Sequence, residues 1–384
     1  GGPAGLAAAC ALRARGFDAH VFEASEALLR RGTGTGIMVS ANGWRALEAC
    51  DEALPPAIRE AGAKISRQNI TVCDEDGGVR RAIGSDAAQM EKDYGHAQYN
   101  VPWHDAHAAL AKMLPDEVVH CGAKATGYAV ETGFDLVGEE SVRLMLEDDR
   151  EVRCTMLVVA DGAGSALRAQ VANSGKVEKG GDDARPTSQL LWNALIPTER
   201  LQGVSTELPG IHRPGEVEFV TCGKDGKAIL SFDSGAGGIT SWYLTLDESD
   251  APEAVRAALS SGEFGGFGHA GRVDALKEEF SAFQGALALL GATEETEIFE
   301  RRLADRQPLS EDQWYDGPVV LLGDAAHPMV PSQGQGTMVA FEDAADLAEC
   351  LKAAGVAGPA VAAARYARVR ASRAARIQRW SRDA

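Results

Sequence analysis

The residues best suited to chemistry lie in one late stretch of the chain, 319–351. An apolar run at 319–322 predicts a buried strand, and Gly323-Asp324 predicts the turn that ends it. A loop rich in proline and glycine follows, and apolar residues at helical spacing then predict a helix from about Thr337. A glycine turn between a strand and a helix N-terminus binds anions, because backbone N–H groups point out of the first helical turn. The Asp324 carboxylate could therefore hold a sugar-like hydroxyl.

The start of the chain carries part of a dinucleotide-binding pattern. Gly2 and Gly5 match the second and third glycines of G-x-G-x-x-G, and an alanine- and leucine-rich helix is predicted over 4–15. The first glycine and the strand before it are expected to precede Gly1. Glu23 ends the next predicted strand 18 residues after Gly5, close to the spacing of about 20 at which an acid reaches a ribose. The pattern favours dinucleotide binding over a plain helix start.

A third stretch, 152–168, repeats the strand-and-turn arrangement. A buried strand is predicted over 156–160, and Asp161-Gly162 forms the turn after it. Ser165 can cap a helix that carries Arg168. This loop could face phosphate or ribose groups, although by itself it is a common turn. A glycine-rich loop at 30–37, which contains Arg31, is a further candidate.

Bulk composition excludes several functions. The chain has 384 residues, enough for two packed domains, and its net charge of -18 argues against nucleic acid as a partner. Seven scattered cysteines without a C-x-x-C motif favour a reducing compartment, so we expect a cytoplasmic or organelle-interior protein, with a targeting peptide before Gly1 left open. Histidines such as His104 and His107 lack metal-ligand spacing, so no metal site is predicted. No run of 18 apolar residues occurs, so no transmembrane segment is expected.

The middle of the chain changes character. Short β-like runs at 190–196, 217–221, 228–232 and 240–246 predict an antiparallel sheet inserted between the nucleotide-binding parts. Further strands could come from 65–100. A basic helix is predicted over 359–383, and in an acidic protein we expect it to neutralise the protein's own surface rather than to bind nucleic acid.

Taken together, three stretches resemble the single-component FAD-dependent monooxygenases. These are GGPAGL with Glu23, VVADGAGSALR, and LLGDAAHPMVPSQGQGTMVAFEDAADLA. The resemblance is to the p-hydroxybenzoate hydroxylase type, with its salicylate hydroxylase, kynurenine monooxygenase and zeaxanthin epoxidase branches. It implies an α/β fold, in which a Rossmann-like FAD-binding domain (1–185 and 300–384) carries an inserted antiparallel substrate domain (186–299) and a C-terminal helix.

The resemblance also implies roles for single residues. Pro331, Gly334, Gln335 and Gly336 would surround the isoalloxazine where a flavin hydroperoxide is stabilised. The implied FAD-binding residues are Gly2, Gly5, Glu23, Arg31, Asp161, Gly162, Gly323, Asp324, Pro331, Gly334 and Gly336. The family usually has an arginine where Trp103 or His104 stands here, so contacts made by that arginine would differ.

The implied activity is that of an FAD-dependent monooxygenase. NAD(P)H and O₂ would be co-substrates, and a small aromatic or related substrate would be hydroxylated through a flavin C4a-hydroperoxide. An alkene or isoprenoid epoxidase and a flavin-dependent reductase remain alternatives on the same fold, and a non-catalytic flavin-binding module is a further one. A flavin halogenase is disfavoured because no tryptophan lies two residues from another. The substrate, the choice of NADH or NADPH and the oligomeric state are left open.

Overall fold

The computed structural model describes residues 1–28, 35–132, 140–173, 184–223 and 226–383. Within these ranges the α-helices are α1 (Pro3–Ala14), α2 (Ala41–Cys50), α3 (Leu54–Glu60), α4 (Ala87–Tyr94), α5 (Trp103–Ala111), α6 (Arg168–Ala172), α7 (Glu253–Ser261), α8 (Arg272–Glu279), α9 (Gln284–Gly291), α10 (Gly336–Ala354) and α11 (Gly358–Asp383).

The strands are β1 (Val21–Phe22), β2 (Gly36–Val39), β3 (Ala63–Lys64), β4 (Arg67–Cys73), β5 (Val79–Asp86), β6 (Tyr99–Pro102), β7 (Val119–His120), β8 (Ala125–Thr132), β9 (Glu140–Leu146), β10 (Glu151–Cys154), β11 (Leu157–Val159), β12 (Arg185–Pro197), β13 (Glu216–Cys222), β14 (Ala228–Ser234), β15 (Ile239–Asp247), β16 (Gly266–Phe267), β17 (Phe299–Asp305), β18 (Tyr315–Asp316) and β19 (Val319–Leu321).

Parallel strand pairs and covering helices make up the nucleotide-binding part. β1 pairs in parallel with β7, and β11 pairs in parallel with β19. Helix α1 packs against α10, and α10 also contacts α2 and α11. β19 is fully buried along its length. Its residues are all apolar, as a strand covered on both faces requires. This part is α/β, as predicted.

A separate eight-stranded sheet has the order β16-β17-β12-β15-β14-β13-β4-β5. The four strands predicted between 190 and 246 are β12 to β15, and they are antiparallel neighbours where they pair. The sheet also takes β4, β5 and β17 from outside 186–299, and β4 pairs with β13 in parallel. Such long-range pairing leaves no local pattern in the sequence, so only the possibility of strands at 65–100 could be predicted.

The two faces of this sheet have different surroundings. Its far face forms a core with α7, α8 and α9, and Trp192 and Trp242 are fully buried there. Its near face turns toward the nucleotide-binding part, where Phe232 packs with Ile65 and Val217. Alternating side chains of a strand point to opposite faces, so β12, β15 and β17 each contribute to both surroundings.

One helical stretch, Gly336–Asp383, is long and apolar enough by composition to cross a membrane. We expected no transmembrane segment, and the described part of the structure contains this one candidate. Core helices of soluble proteins can have the same length and composition. Ten of the nineteen residues of α10 are buried, whereas only 28% of the apolar 18-residue window in this stretch is buried. A membrane role for this stretch would also have to accommodate a buried ion pair between Asp343 and Arg370.

Candidate cofactor and substrate site

Two of the predicted turns leave the parallel strands at the same edge. Val159 of β11 lies opposite Leu321 of β19, so Asp161 and Gly323 follow the carboxyl ends of neighbouring strands. Ligands of open α/β sheets bind outside those ends. Gly323 adopts φ +63, and a methyl group added there would lie 2.8 Å from the Cβ of Ala4 in α1. The structure therefore brings the start of α1 against the turn that carries Asp324.

The N-terminus of α1 is open toward this edge. Gly2 is its N-cap residue, and no side chain in the described part of the protein caps it. Apart from the residues next to Gly2 in the chain, no described atom lies within 4 Å of the place that a Cβ on Gly2 would take. Gly5 lies against the residue that follows β11, because a Cβ there would be in van der Waals contact with that of Ala160, at 3.5 Å. Uncapped N–H groups beside an open space suit a phosphate group.

Glu23 directly follows β1, at the same end of the molecule as the N-terminus of α1. Its Oε1 accepts hydrogen bonds from the N–H of Ser25 at 2.9 Å and from the Ser25 hydroxyl at 2.6 Å. Burial raises the pKa of Glu23, but these hydrogen bonds outweigh it and hold the pKa below its ordinary value. An ionised carboxylate that is fixed in this way can accept hydrogen bonds from ribose hydroxyls.

The turn at Asp161 is built as predicted and also serves the neighbouring loop. The Ser165 hydroxyl accepts from the N–H of Arg168 at 3.0 Å, but the N-cap residue of α6 is Leu167 rather than Ser165 as predicted. Asp161 accepts from the N–H of Ala166 at 3.0 Å. Gly162 adopts φ +83. The buried Arg168 side chain donates to the carbonyl oxygens of Ala325 and Ala326, so it fixes the residues just after Asp324.

Asp324 itself is exposed in the space between the start of α1, the start of α10 and Arg301 of β17, which we call the cleft. Solvent reaches its side chain, yet protein surrounds the carboxylate on most sides. Burial raises the pKa of Asp324, while His327 and Arg301 oppose that effect. A carboxylate that is accessible at such depth is placed to accept a hydrogen bond from a bound ligand.

We call residues 323–336 the Gly-Asp loop, because they run from Gly323 to the start of α10. Pro331 opens a short 3₁₀ turn, Pro331–Gln333, and Gly334 follows in the left-handed region at φ +61. Gly336 begins α10, and a Cβ there would lie 3.9 Å from Oδ1 of Asp324. The glycines thus leave room beside the Asp324 carboxylate that a larger residue would fill.

The Gln335 side chain is turned away from that room. Its Oε1 accepts from the side-chain amide of Asn42 at 3.0 Å, and its Nε2 reaches the Ser40 hydroxyl at 3.4 Å. If Gln335 contacts a bound ligand, it would therefore do so through its backbone rather than through its side chain. The predicted Arg31 lies outside the described residues.

A buried charge network holds the Gly-Asp loop from behind. Asp343 of α10 accepts hydrogen bonds from the N–H of Gly323 at 3.0 Å, from His327 Nε2 and from Arg370 Nε at 2.7 Å. Burial raises the pKa of Asp343, but His327 and Arg370 overcome this and lower it. Tyr366 of α11 donates to the carbonyl of Leu321 at 3.0 Å. His327 is therefore a fully buried partner of Asp343 rather than a group that faces the cleft.

The near face of the sheet supplies the opposite wall of the cleft. Tyr243 accepts from the N–H of Gly36 at 3.0 Å, and it lies within electrostatic reach of Arg301, which in turn interacts with Asp324. Sequence reasoning did not find Tyr243 or Arg301, because only strand register brings them together. The stretch 299–309 showed charged residues, but nothing marked one of them as facing the cleft.

The residues present fit FAD. The uncapped helix start at Gly2, the open room beside Gly336 and the accessible carboxylate of Asp324 adjoin one another. In addition, buried polar atoms on the near face of the sheet, Asn193 Oδ1 and Ser241 Oγ, have no hydrogen-bond partner in the described part of the chain. No cluster of side chains suited to a metal occurs within the described ranges.

Comparison with known proteins agrees with this geometry. The family described as FAD binding domain matches residues 279–381. The aurachin C monooxygenase/isomerase of Stigmatella aurantiaca is 29% identical over 91% of this chain and 79% of that protein. The 3-amino-4-hydroxybenzoate 2-monooxygenase PtmB3 of Streptomyces platensis is 30% identical over 92% of this chain and 78% of that protein.

A solved structure shares the whole fold. Klebsiella pneumoniae HpxO, in complex with FAD and uric acid, superposes with a TM-score of 0.78 over 100% of this chain and 85% of that one, at 21% identity. The predicted architecture, a Rossmann-like FAD-binding part with an inserted sheet and a C-terminal helix, is confirmed. The chain belongs to the FAD-dependent monooxygenases.

Proposed function

We propose that this FAD-dependent monooxygenase uses NAD(P)H and O₂ to hydroxylate a small aromatic substrate that lies between the Gly-Asp loop and the near face of the sheet. The observation that carries the proposal is a row of side chains across that face. Phe219, Leu230 and Tyr243 lie directly opposite one another on β13, β14 and β15. All three are half-buried, so this row offers an apolar surface that is still accessible.

Each part of the cleft would bind a different part of the cofactor. The start of α1 at Gly2 and Gly5 would hold the pyrophosphate, Glu23 the adenosine ribose, and Asp324 a ribityl hydroxyl. The backbone of Pro331, Gly334, Gln335 and Gly336 would follow the isoalloxazine. Asp161 and Gly162 would contact FAD and a nicotinamide nucleotide that binds only in passing, since the sequence carries no second dinucleotide fingerprint.

Bound FAD would supply electron transfer from the nicotinamide and activation of O₂. The chain's own contribution is position and exclusion of water. Asp324 orients the ribityl chain, Asp343 and Arg168 keep the Gly-Asp loop in place, and the apolar row keeps water from the reacting atoms. A substrate ring that rests on Phe219 and Leu230 would present one edge toward the loop.

We assign the binding of FAD and of substrate to the two predicted domains. Residues 1–185 and 300–384 would bind FAD, and residues 186–299 would supply most of the substrate wall. The free thiols of all seven cysteines suit a reducing compartment, and we propose that the enzyme works there.

Anaerobic mixing tests the proposal. Full-length protein loaded with FAD would be mixed with NADPH or NADH, with and without a panel of phenolic compounds, while the flavin absorbance is followed. We expect bleaching that one aromatic accelerates, and incorporation of one ¹⁸O atom into that compound after ¹⁸O₂ is admitted. Bound flavin that neither nucleotide reduces would overturn the NAD(P)H assignment. An epoxide formed from an alkene, with no hydroxylated aromatic from any compound, would replace hydroxylation by epoxidation.

A further inference from the structure

Arg301 of β17 is a half-buried cation without a matching anion. Its Nε is buried and has no hydrogen-bond partner, and no carboxylate within the described ranges forms an ion pair with it. Among the described residues, the Phe299 ring lies close to it, with its centroid 5.9 Å from the guanidinium carbon. A cation–π contact at that distance leaves the N–H donors of the guanidinium unsatisfied.

The register of the sheet places Arg301 at the polar end of the apolar row. Arg301 lies opposite Leu191, and Asn193, two residues further along β12, lies opposite Tyr243. Diagonal neighbours on one face are close enough for long side chains to meet. The wall therefore changes from Phe219 and Leu230 at one end to Asn193 and Arg301 at the other.

No described residue on this wall provides an anion that pairs with the Arg301 guanidinium. Burial lowers the pKa of Arg301, while Tyr243 and Asp324 partly offset that effect. A guanidinium in such a place is unfavourable unless an anion joins it. Asp324 does not pair with Arg301, and the proposed function assigns its carboxylate to a ribityl hydroxyl. The Asn193 Oδ1 nearby is an acceptor without a partner in the described ranges, so it can bind a donor group of a ligand but not its anionic oxygen.

We propose that Arg301 binds an anionic oxygen group of the substrate, with the substrate's apolar body along Phe219, Leu230 and Tyr243. This inference rests on the proposed function and names the chemical class of its substrate. The planar guanidinium offers paired N–H donors that match a carboxylate, and it can also bind a single ionised ring hydroxyl. The substrate is then an acid or a readily ionised phenol.

The test compares matched ligands at equilibrium, on FAD-loaded full-length protein, by calorimetry. Benzoate and benzamide probe the carboxylate. 4-Hydroxybenzamide, titrated from pH 6 to 10, probes the ionised hydroxyl. Arg302→Gln is the control, since Arg302 lies on the opposite face of β17 and pairs with Glu248 at 2.6 Å. Arg301→Lys keeps the charge, and retained FAD binding by each variant shows that it is folded.

We expect one anionic form to bind about 10- to 100-fold more tightly than its neutral counterpart, the range for a hydrogen bond to a charged group. Arg301→Gln should abolish this preference, Arg301→Lys should keep part of it, and Arg302→Gln should leave it unchanged. The proposal is overturned if wild-type protein prefers neither anion, or if Arg301→Gln weakens neutral and anionic ligands equally. Because binding is measured without turnover, a failure of NAD(P)H to reduce the flavin would not alter this result.

Discussion

The Asp324 side chain is accessible to a ligand, but its surroundings raise the pKa of its carboxyl group. If its carboxylate accepts a ribityl hydroxyl of FAD, Asp324→Asn should weaken FAD binding about 10- to 100-fold, because a hydrogen bond to a charged group contributes about 1.5–3 kcal/mol. Quenching of flavin fluorescence on titration of the stripped protein measures this. Asp250→Asn, at an exposed aspartate of the far sheet region, is the control. Unchanged FAD affinity in Asp324→Asn would contradict the assignment.

The raised pKa of Asp324 has a consequence for the protein without FAD. A carboxyl whose folded pKa lies above its unfolded pKa binds more protons when folded, so the free energy of unfolding falls as pH rises between the two values. We expect stripped Asp324→Asn to be more stable than stripped wild type at pH 7, by on the order of 1 kcal/mol or less because solvent reaches the carboxylate. The difference should vanish below about pH 4, near the unfolded pKa.

Urea denaturation of both stripped proteins at a series of pH values checks this expectation. A wild type that gains stability relative to Asp324→Asn as pH rises would show that the folded pKa is lowered instead. Together the two experiments separate what Asp324 contributes to FAD binding from what it costs in stability.

Single residues of the proposed cofactor site are the part that local sequence patterns predict most readily. Gly323, Asp324 and Gly336 belong to local patterns that predict a turn and a helix start, and the structure places Gly336 beside the Asp324 carboxylate. Arg301 and Tyr243 could not be found in this way. They lie far apart in the chain and share a wall only through the pairing of β15, β12 and β17.

Helices α10 and α11 act together as the support of the Gly-Asp loop. Arg370 of α11 reaches Asp343, Asp346 and Glu342 of α10, and Asp343 in turn accepts from the N–H of Gly323. Removing one member of such a buried set leaves the other charge without its partner. The basic helix that begins near Pro359 was predicted from composition. The sequence did not show that Arg370 would be buried while other arginines of the same helix are exposed.

Arg370→Met should therefore lower the free energy of unfolding by about 3–5 kcal/mol, the cost of stranding a buried charge. Arg368→Met on the same helix is a matched control, because Arg368 is largely exposed and lies 3.6 Å from Glu311. That surface pair should contribute about 0–1 kcal/mol. Urea denaturation of the FAD-loaded proteins measures both. Equal losses in the two variants would mean that the buried network does not support the loop.

The two structural parts are joined more closely than a simple insertion implies. β4, β5 and β17 enter the eight-stranded sheet from outside 186–299, and the Tyr243 hydroxyl is hydrogen-bonded to the backbone of Gly36 in β2. The antiparallel runs predicted an inserted sheet, but β4 and β17 join it through β13 and β12, which are more than a hundred residues away, and β5 joins it only as the hairpin neighbour of β4. We therefore expect the parts to unfold as one cooperative unit.

Buried thiols in both parts can report this unfolding in one experiment. Cys10 and Cys50 lie in the nucleotide-binding core, and Cys73 and Cys222 lie in the core of the sheet's far face. Burial raises the pKa of Cys10, Cys50 and Cys222 to about 12, so these thiols are almost wholly protonated and slow to react while the protein is folded. Exposure on unfolding restores an ordinary thiol pKa and fast alkylation.

Pulsed alkylation across a urea series, read by peptide mass spectrometry, should give one midpoint for all four thiols. Saturating FAD should raise that midpoint equally for all four, because a ligand that binds only the folded state stabilises every part of a cooperative unit. Cys121, which is half-buried, should label at lower urea and serves as the control for reagent activity. Labelling of Cys10 and Cys50 at urea concentrations that still protect Cys73 and Cys222 would instead show that the sheet and its far-face helices form an independent domain.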